Sequence, residues 1–96
     1  MFSPTDTEQE ILTDLGQRLR ARRLQRNEKQ LSTAARIGVS APTYRKMEQG
    51  DPSTALGYWV RAMRLLGDPD ALRDTLPLSL FEQDKPRQRA ARPRKP

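Results

Sequence analysis

The stretch that decides the fold is residues 30–50, which read QLSTAARIGVSAPTYRKMEQG. Gly38 stands where a helix needs a left-handed residue to end it. Ser40 is a favourable N-cap for a second helix, and Pro42 falls in the first turn of that helix, where a missing N–H costs nothing. The stretch therefore predicts two short helices, one before Gly38 and one after Ser40.

Both helices carry small or apolar residues at helical spacing. We expect the first, over about 30–37, to give the core Leu31, Ala34, Ala35 and Ile37, and the second, which Gly50 closes, to give it Tyr44 and Met47, with Val39 plugging the turn. The alanine pair allows the helices to cross closely. The outer face of the second helix is then free to enter a groove about 12 Å wide.

Three further helices are predicted around this pair, so the fold class is all-α with five helices. The first runs over about 6–25, with a capping box formed by Thr5 and Glu8. Its apolar residues are Ile11, Leu12, Leu15 and Leu19. The fourth follows the Gly50-Asp51-Pro52 turn and is capped by Ser53 or Thr54; its buried stripe is Leu56, Val60 and Met63, with Trp59 and Leu66 beside it. A short fifth helix covers about 70–75.

The C-terminal part divides into two segments. Leu76, Leu78 and Leu80 alternate with Pro77 and Ser79, which is typical of a strand. Two alternatives stay open: pairing with the same strand of a second copy, so that Leu76, Leu78, Leu80 and Phe81 form a dimer contact, or an extended tail lying over the domain. We expect 1–75 to be the domain, 76–84 an extended or dimerisation segment, and 85–96 a basic disordered tail.

Charge is distributed in blocks. The net charge is +6, but residues 85–96 alone contribute +6, so residues 1–84 are neutral. Within them, residues 18–46 hold nine cations and one acid, a net charge of +8. Such a block favours a basic face that meets a polyanion, and a solvated helix surface is the alternative.

Composition excludes several classes of protein. The chain has no cysteine and no histidine, so a disulfide framework, a thiolate metal site and the commonest general base are all excluded. We predict no enzymatic activity, no cofactor and no metal. No apolar run is long enough for a membrane span, and residues 1–10 are too acidic for a secretory signal. We expect a cytoplasmic binding protein.

The stretch between Leu15 and Gly67 resembles the helix-turn-helix of phage-repressor-like transcriptional regulators, the XRE family. The matching text is LGQRLRARR, then RIGVSAPTYRKMEQGDP, then LGYWVRAMRLLG. The most specific part is G-V-S-x-x-T-x-x-x-(hydrophobic)-E-x-G. The chain departs from the family at Glu28 and Lys29, where an apolar residue and a Ser/Thr cap are usual. It also has Thr33 for a buried leucine and Tyr44 for Ile or Leu, so we expect Tyr44 to fill volume lost at Thr33.

The resemblance implies a role for each matching residue. The base-facing residues are Ser40, Ala41, Pro42, Thr43, Arg45 and Lys46, and the phosphate-binding residues are Lys29, Gln30, Ser53 and Thr54. Arg45 and Lys46 would bind guanine, and Ala41 and Pro42 would read thymine methyl groups or shape. Arg23 and Glu48 match a structural salt bridge. Double-stranded DNA with a pseudo-palindromic operator, read by a homodimer, is the implied partner.

A finer resemblance links the chain to HipB-type antitoxins, which repress their own operon and bind a HipA-like kinase toxin. It depends on G-D-P-x-x-x-L-G, a helix ending R-x-L-G, then D-x-L and a basic tail. That tail would follow DNA, engage a partner such as the toxin, or stay solvated. The alternatives are a regulator without a toxin partner and a protein-interaction module that no longer binds DNA. RNA binding is disfavoured because aromatic platforms are missing.

Overall fold

The computed structural model describes residues 2–68 and 70–75, and these residues form helices, turns and irregular segments without a strand. The four helices are α1 (Asp6–Gln25), α2 (Gln30–Ile37), α3 (Ala41–Glu48) and α4 (Leu56–Leu66). The all-α prediction is confirmed for this part of the chain. None of its helices is long and apolar enough to cross a membrane. The predicted strand and dimer contact over 76–81 and the tail over 85–96 lie outside the described residues.

Local sequence signals fix the helix ends. The Thr5 hydroxyl accepts a hydrogen bond from the Glu8 backbone N–H, and the Glu8 carboxylate accepts one from the Thr5 N–H, which completes the predicted capping box. Gly38 ends α2 with φ +94° in the left-handed region. Ser40 caps α3 by accepting a hydrogen bond from the Thr43 N–H at 3.1 Å. The turn between α2 and α3 therefore forms as the sequence predicts.

The core lies where the four helices meet. Its buried hydrophobic residues are Leu19, Ala34, Ile37, Tyr44, Met47, Trp59, Ala62 and Leu66, with Leu15, Val39, Met63, Leu65 and Leu72 packed partly buried against them. The buried positions of Tyr44, Met47 and Trp59 confirm the prediction for these residues.

Two predicted core stripes are right only in part. On α2, Ala34 and Ile37 are buried as predicted, and so is Thr33, as the resemblance implied, but Leu31 and Ala35 are exposed. On α4, Leu56 and Val60 are exposed; the buried row is Trp59, Ala62 and Leu66, and Met63 is half-buried. Each of these short helices carries two adjacent rows of apolar residues, and either row could face the core. The packing of the neighbouring helices determines which row is buried.

The predictions for the fourth and fifth helices also need correction. The N-cap of α4 is Ala55, which makes no side-chain cap bond. Ser53 and Thr54 bond back to Asp51 instead: the Ser53 N–H and hydroxyl donate to the Asp51 carboxylate at 2.7 and 2.5 Å, and the Thr54 hydroxyl donates to the Asp51 carbonyl. Residues 70–75 form successive turns rather than a helix.

Helices α1 and α3 cross with their backbones in contact. A methyl group on Gly16 would lie 2.7 Å from the Glu48 carbonyl carbon, and one on Gly50 would lie 2.6 Å from the Leu12 carbonyl oxygen. Gly50 also has φ +77°, a conformation that L side chains rarely adopt. The two glycines therefore set the distance between the helices.

We predict that Gly16→Ala lowers the free energy of unfolding by about 1–3 kcal/mol, because the added methyl group meets backbone that cannot move aside. The measurement is urea unfolding. Gly57→Ala on α4 is the control, since a methyl group there meets no atom within 4 Å; it should leave stability unchanged or raise it by up to about 1 kcal/mol. Equal stability of Gly16→Ala and wild type would contradict the close crossing.

Candidate nucleic-acid interface

The helix α3 has one anchored face and one free face. Tyr44 and Met47 are fully buried. On the other side, Pro42, Arg45 and Lys46 are exposed. The structure therefore brings both cations that the sequence assigned to base contact onto the solvent side of a helix that the core holds in place.

The N-terminal turn of α3 presents smaller groups. Ser40 is exposed, while Ala41 and Thr43 are half-buried. The Ser40 hydroxyl donates to the Thr43 hydroxyl oxygen at 3.0 Å. Ser40 therefore uses its hydrogen-bonding capacity within the cap, and Thr43 keeps its own hydroxyl proton for an outside acceptor.

A buried ion pair holds α3 against α1. The Arg23 Nε donates to the Glu48 carboxylate at 2.6 Å, and the two side chains are 8% and 3% exposed. Arg23 Nη1 also donates to the Glu28 carbonyl at 2.7 Å, which ties in the turn between α1 and α2. The pairing of Arg23 with Glu48 is the one that the sequence resemblance implied.

Gln30 joins this pair from the start of α2. Its amide nitrogen donates to Glu48 Oε1 at 2.9 Å. Burial opposes ionisation of Glu48, but the hydrogen bonds from Arg23 and Gln30 outweigh it and hold the pKa of the Glu48 carboxyl below its ordinary value. Glu48 therefore stays charged while it links three helices.

Tyr44 lies beside the same pair. Its hydroxyl is buried and has no hydrogen bond of good geometry to the described residues. Burial, followed by the nearby Glu48 carboxylate, raises the pKa of the Tyr44 hydroxyl above its ordinary value. A buried tyrosine hydroxyl usually finds a hydrogen-bond partner; here it lies beside charged groups without a direct bond. Thr33 is 1% exposed. Thr33 and Tyr44, the two core positions at which the chain departs from the family, are therefore both buried.

The candidate phosphate ligands fall into two sites. At the start of α2, Lys29 is exposed and makes no side-chain cap bond, so the first backbone N–H groups of α2 are left for an outside acceptor. Gln30 is half-buried and keeps one amide N–H beyond its bond to Glu48. At the second site, Ser53 and Thr54 are engaged by the Asp51 turn. The ionised Asp51 carboxylate beside Ser53 opposes a phosphate there.

Glu28 has a role that sequence reasoning missed. Its carboxylate accepts a hydrogen bond from the Thr33 hydroxyl at 2.8 Å and pairs with Arg36. The Thr33 hydrogen bond is the largest of the interactions that lower the pKa of Glu28. Because the partners are five and eight positions apart across a turn, no helical or strand period predicts the contact. Glu28, which stands where the family usually has an apolar residue, thus holds α2 in place through its bonds to Thr33 and Arg36.

These contacts sort the cations of the +8 block. Arg18, Arg23 and Arg36 pair with acids. Within residues 2–68 and 70–75, no ion pair involves Lys29, Arg45 or Lys46. The cations left for an external polyanion therefore include Lys29 at the start of α2 and Arg45 and Lys46 on the outer face of α3.

We predict that Glu48→Gln lowers the free energy of unfolding at pH 7 by about 3 kcal/mol, because it leaves the Arg23 guanidinium buried without its counter-charge. The folded pKa of Glu48 lies below its ordinary value of 4.5. Its stabilisation is therefore complete above about pH 4.5 and is lost as the pH falls through the folded pKa. The difference in unfolding free energy between wild type and variant should shrink in acid.

The control is Glu10→Gln, on the exposed side of α1, whose effect should stay within about 0.5 kcal/mol. Urea unfolding at several pH values measures both variants. A Glu48→Gln difference that does not change with pH would rule out the charged form as the stabilising one.

In a comparison with known families, a model described as a helix-turn-helix domain matches residues 14–76, about two thirds of the chain. Comparison with curated proteins and with solved structures gives no match. The matched range contains the α2–turn–α3 unit, the buried Arg23–Glu48 pair and the exposed cations of α3. The chain belongs to the helix-turn-helix domain family and is a DNA-binding regulator of that class.

Proposed function

We propose that the protein is a sequence-specific transcriptional repressor that inserts α3 into the major groove and acts without catalysis. The observation that carries the proposal is the division of α3 into two faces. Tyr44 and Met47 are 0% exposed, and Arg45 and Lys46 face solvent. A cationic helix fixed by its inner face suits a groove with guanine acceptors.

The dimensions of α3 fit this use. An eight-residue helix is about 12 Å long, and the major groove is about 12 Å wide. Arg45 and Lys46 reach guanine N7 and O6, while Pro42 and Ala41 at the start of the helix read thymine methyl groups or groove shape. Sequence information then comes from few side chains, and the buried ion pair keeps them in one orientation.

Phosphate contacts at the start of α2 position the helix α3 on the duplex. Lys29 supplies a free charge, and Gln30 supplies an amide N–H from a side chain that Glu48 already orients. Since Glu48 is itself on α3, a phosphate held by Gln30 fixes the register of α3 directly. Ser53 and Thr54 contribute less in this scheme because Asp51 occupies their hydroxyl groups.

One such domain reads about half of an operator, so we propose that two copies bind a pseudo-palindrome with half-sites about 34–36 Å apart. The candidate dimer contact, residues 76–81, stays a prediction, and so does the alternative that this segment covers its own domain.

The more specific proposal is an antitoxin that represses its own operon and binds a HipA-like kinase toxin. It is supported by the sequence resemblance to HipB-type antitoxins. The supporting result is a neighbouring reading frame that encodes a kinase-like protein. Expression of that protein should be toxic, and coexpression of this chain should relieve the toxicity. Without such a neighbour, the proposal reduces to a regulator with no toxin partner.

We predict that Arg45→Ala/Lys46→Ala abolishes sequence-specific DNA binding. A duplex selected from a random pool by the wild-type protein serves as operator, and fluorescence anisotropy at fixed salt gives Kd. Each guanine contact contributes about 1–3 kcal/mol, so affinity for the selected duplex should fall by roughly 30-fold or more, while affinity for a scrambled duplex falls much less.

Arg73→Ala is the matched control, because the Arg73 side chain is 82% exposed and lies outside the α2–turn–α3 unit. It should leave the preference for the selected duplex intact. Unchanged operator binding by the double variant would show that α3 does not read DNA, and the protein-interaction alternative would then replace this proposal.

A further inference from the structure

An apolar groove of about 500 Å³ runs between α1, α4 and the C-terminal turns. Trp59 lies at its buried side, and Leu15, Met63 and Leu72 form half-buried walls. Ile11 stands at its edge with 63% of its surface exposed. Asp14 and Arg18, bonded to each other at 2.8 Å, form part of a charged rim. This groove lies apart from the DNA-facing surface of α3.

The chain leaves the described domain at the groove itself. Thr75, the last described residue, lines the groove together with Ala71 and Leu72. The next six residues are LPLSLF, the most apolar stretch in the C-terminal third of the chain. A segment that begins at its own binding site has an effective concentration on the order of millimolar there, which favours it over a separate molecule.

The spacing of the segment matches the spacing of the groove. In an extended segment, Leu76, Leu78 and Leu80 lie on one face, about 6.6 Å apart. Along α1, Ile11, Leu15 and Leu19 are four residues apart, a rise of about 6 Å each. The three leucines can therefore meet successive turns of α1. Six extended residues reach about 20 Å, and the groove follows α1 from Ile11 to Arg22, about 16 Å.

Pro77 distinguishes this site from a second strand. It has no N–H to give to a β-ladder, so it weakens pairing along one edge. Binding in an apolar groove depends on side-chain contacts and does not require this backbone hydrogen bond. Pro77 and Ser79 would then face away from α1, toward solvent.

We propose that the α1–α4 groove is the docking site of the chain's own segment 76–81. The segment covers Ile11 and Leu15 and closes the apolar side of the domain. This assignment favours the second of the two alternatives that the sequence left open, and a two-fold dimer then uses another surface.

A disulfide trap tests the proposal, because the chain contains no cysteine of its own. Two full-length variants carry Ile11→Cys with either Leu78→Cys or Leu80→Cys. A disulfide requires Cα atoms about 4.4–6.8 Å apart, so mild oxidation should give an intrachain bond in at least one variant. The control places Leu31→Cys, on a residue 69% exposed on α2, with the same partners. Intrachain bonding should be about ten-fold faster with Ile11→Cys than with the control.

Two crosslinking results would overturn the proposal. One is a crosslinking rate equal to that of the Leu31 control in both variants. Another is a disulfide formed mainly between chains at micromolar protein, which would make a second copy the occupant. Neither result touches the DNA-binding proposal, which depends on α3.

A second measurement uses Trp59, the one tryptophan of the chain, as a reporter. In the full chain, Leu78→Asp/Leu80→Asp should increase quenching of Trp59 by acrylamide and raise the unfolding equilibrium constant about ten-fold. In an Ile11→Asp background the same change should have a smaller effect, because the contact is already lost. No change in Trp59 quenching or in unfolding would contradict docking.

Discussion

A buried charge pair organises this domain. Glu48, the last residue of α3, accepts hydrogen bonds from Arg23 of α1 and Gln30 of α2, and Arg23 also binds the carbonyl of Glu28 in the connecting turn. Removing two charges from water is costly, and only close, multiply bonded geometry repays that cost. The pair therefore stabilises one arrangement of three helices and disfavours any in which α3 is rotated, as the proposed insertion of α3 into the major groove requires.

The pair can form because the backbones of α1 and α3 touch. Gly16 admits the carbonyl of Glu48, and Gly50 admits the backbone of Leu12. Gln9 adds a hydrogen bond from its amide to the Gly50 carbonyl at 3.0 Å. Close packing on this side of α3 leaves its opposite side bare. The exposed cations Arg45 and Lys46 are thus a consequence of how the inner face is fixed.

Charge acts on two scales in the molecule. The +8 block over residues 18–46 favours attraction of a polyanion at long range, but several of its cations form ion pairs within the domain. Arg23 and Arg36 hold helices together through Glu48 and Glu28. Within the described residues, six cations of the block form no ion pair: Arg20, Arg22, Arg26, Lys29, Arg45 and Lys46. Counting charges along the sequence overstates the basic face, because it cannot separate the two groups.

The sequence by itself determined the parts of the protein that depend on local chemistry. The Thr5–Glu8 capping box, the left-handed Gly38 and the Ser40 cap each act within a few residues, so the start of α1, the end of α2 and the start of α3 follow from the residues alone. Only the tertiary structure decided which face of a short helix is buried. Leu31 and Val60 face solvent while Ala62 is buried, because a helix of eight to eleven residues has too few turns to fix its buried face and the neighbouring helices decide it. The diversion of Ser53 to Asp51 and the bonds of Glu28 to Thr33 and Arg36 were likewise invisible in the sequence, since each depends on where a turn brings its partners.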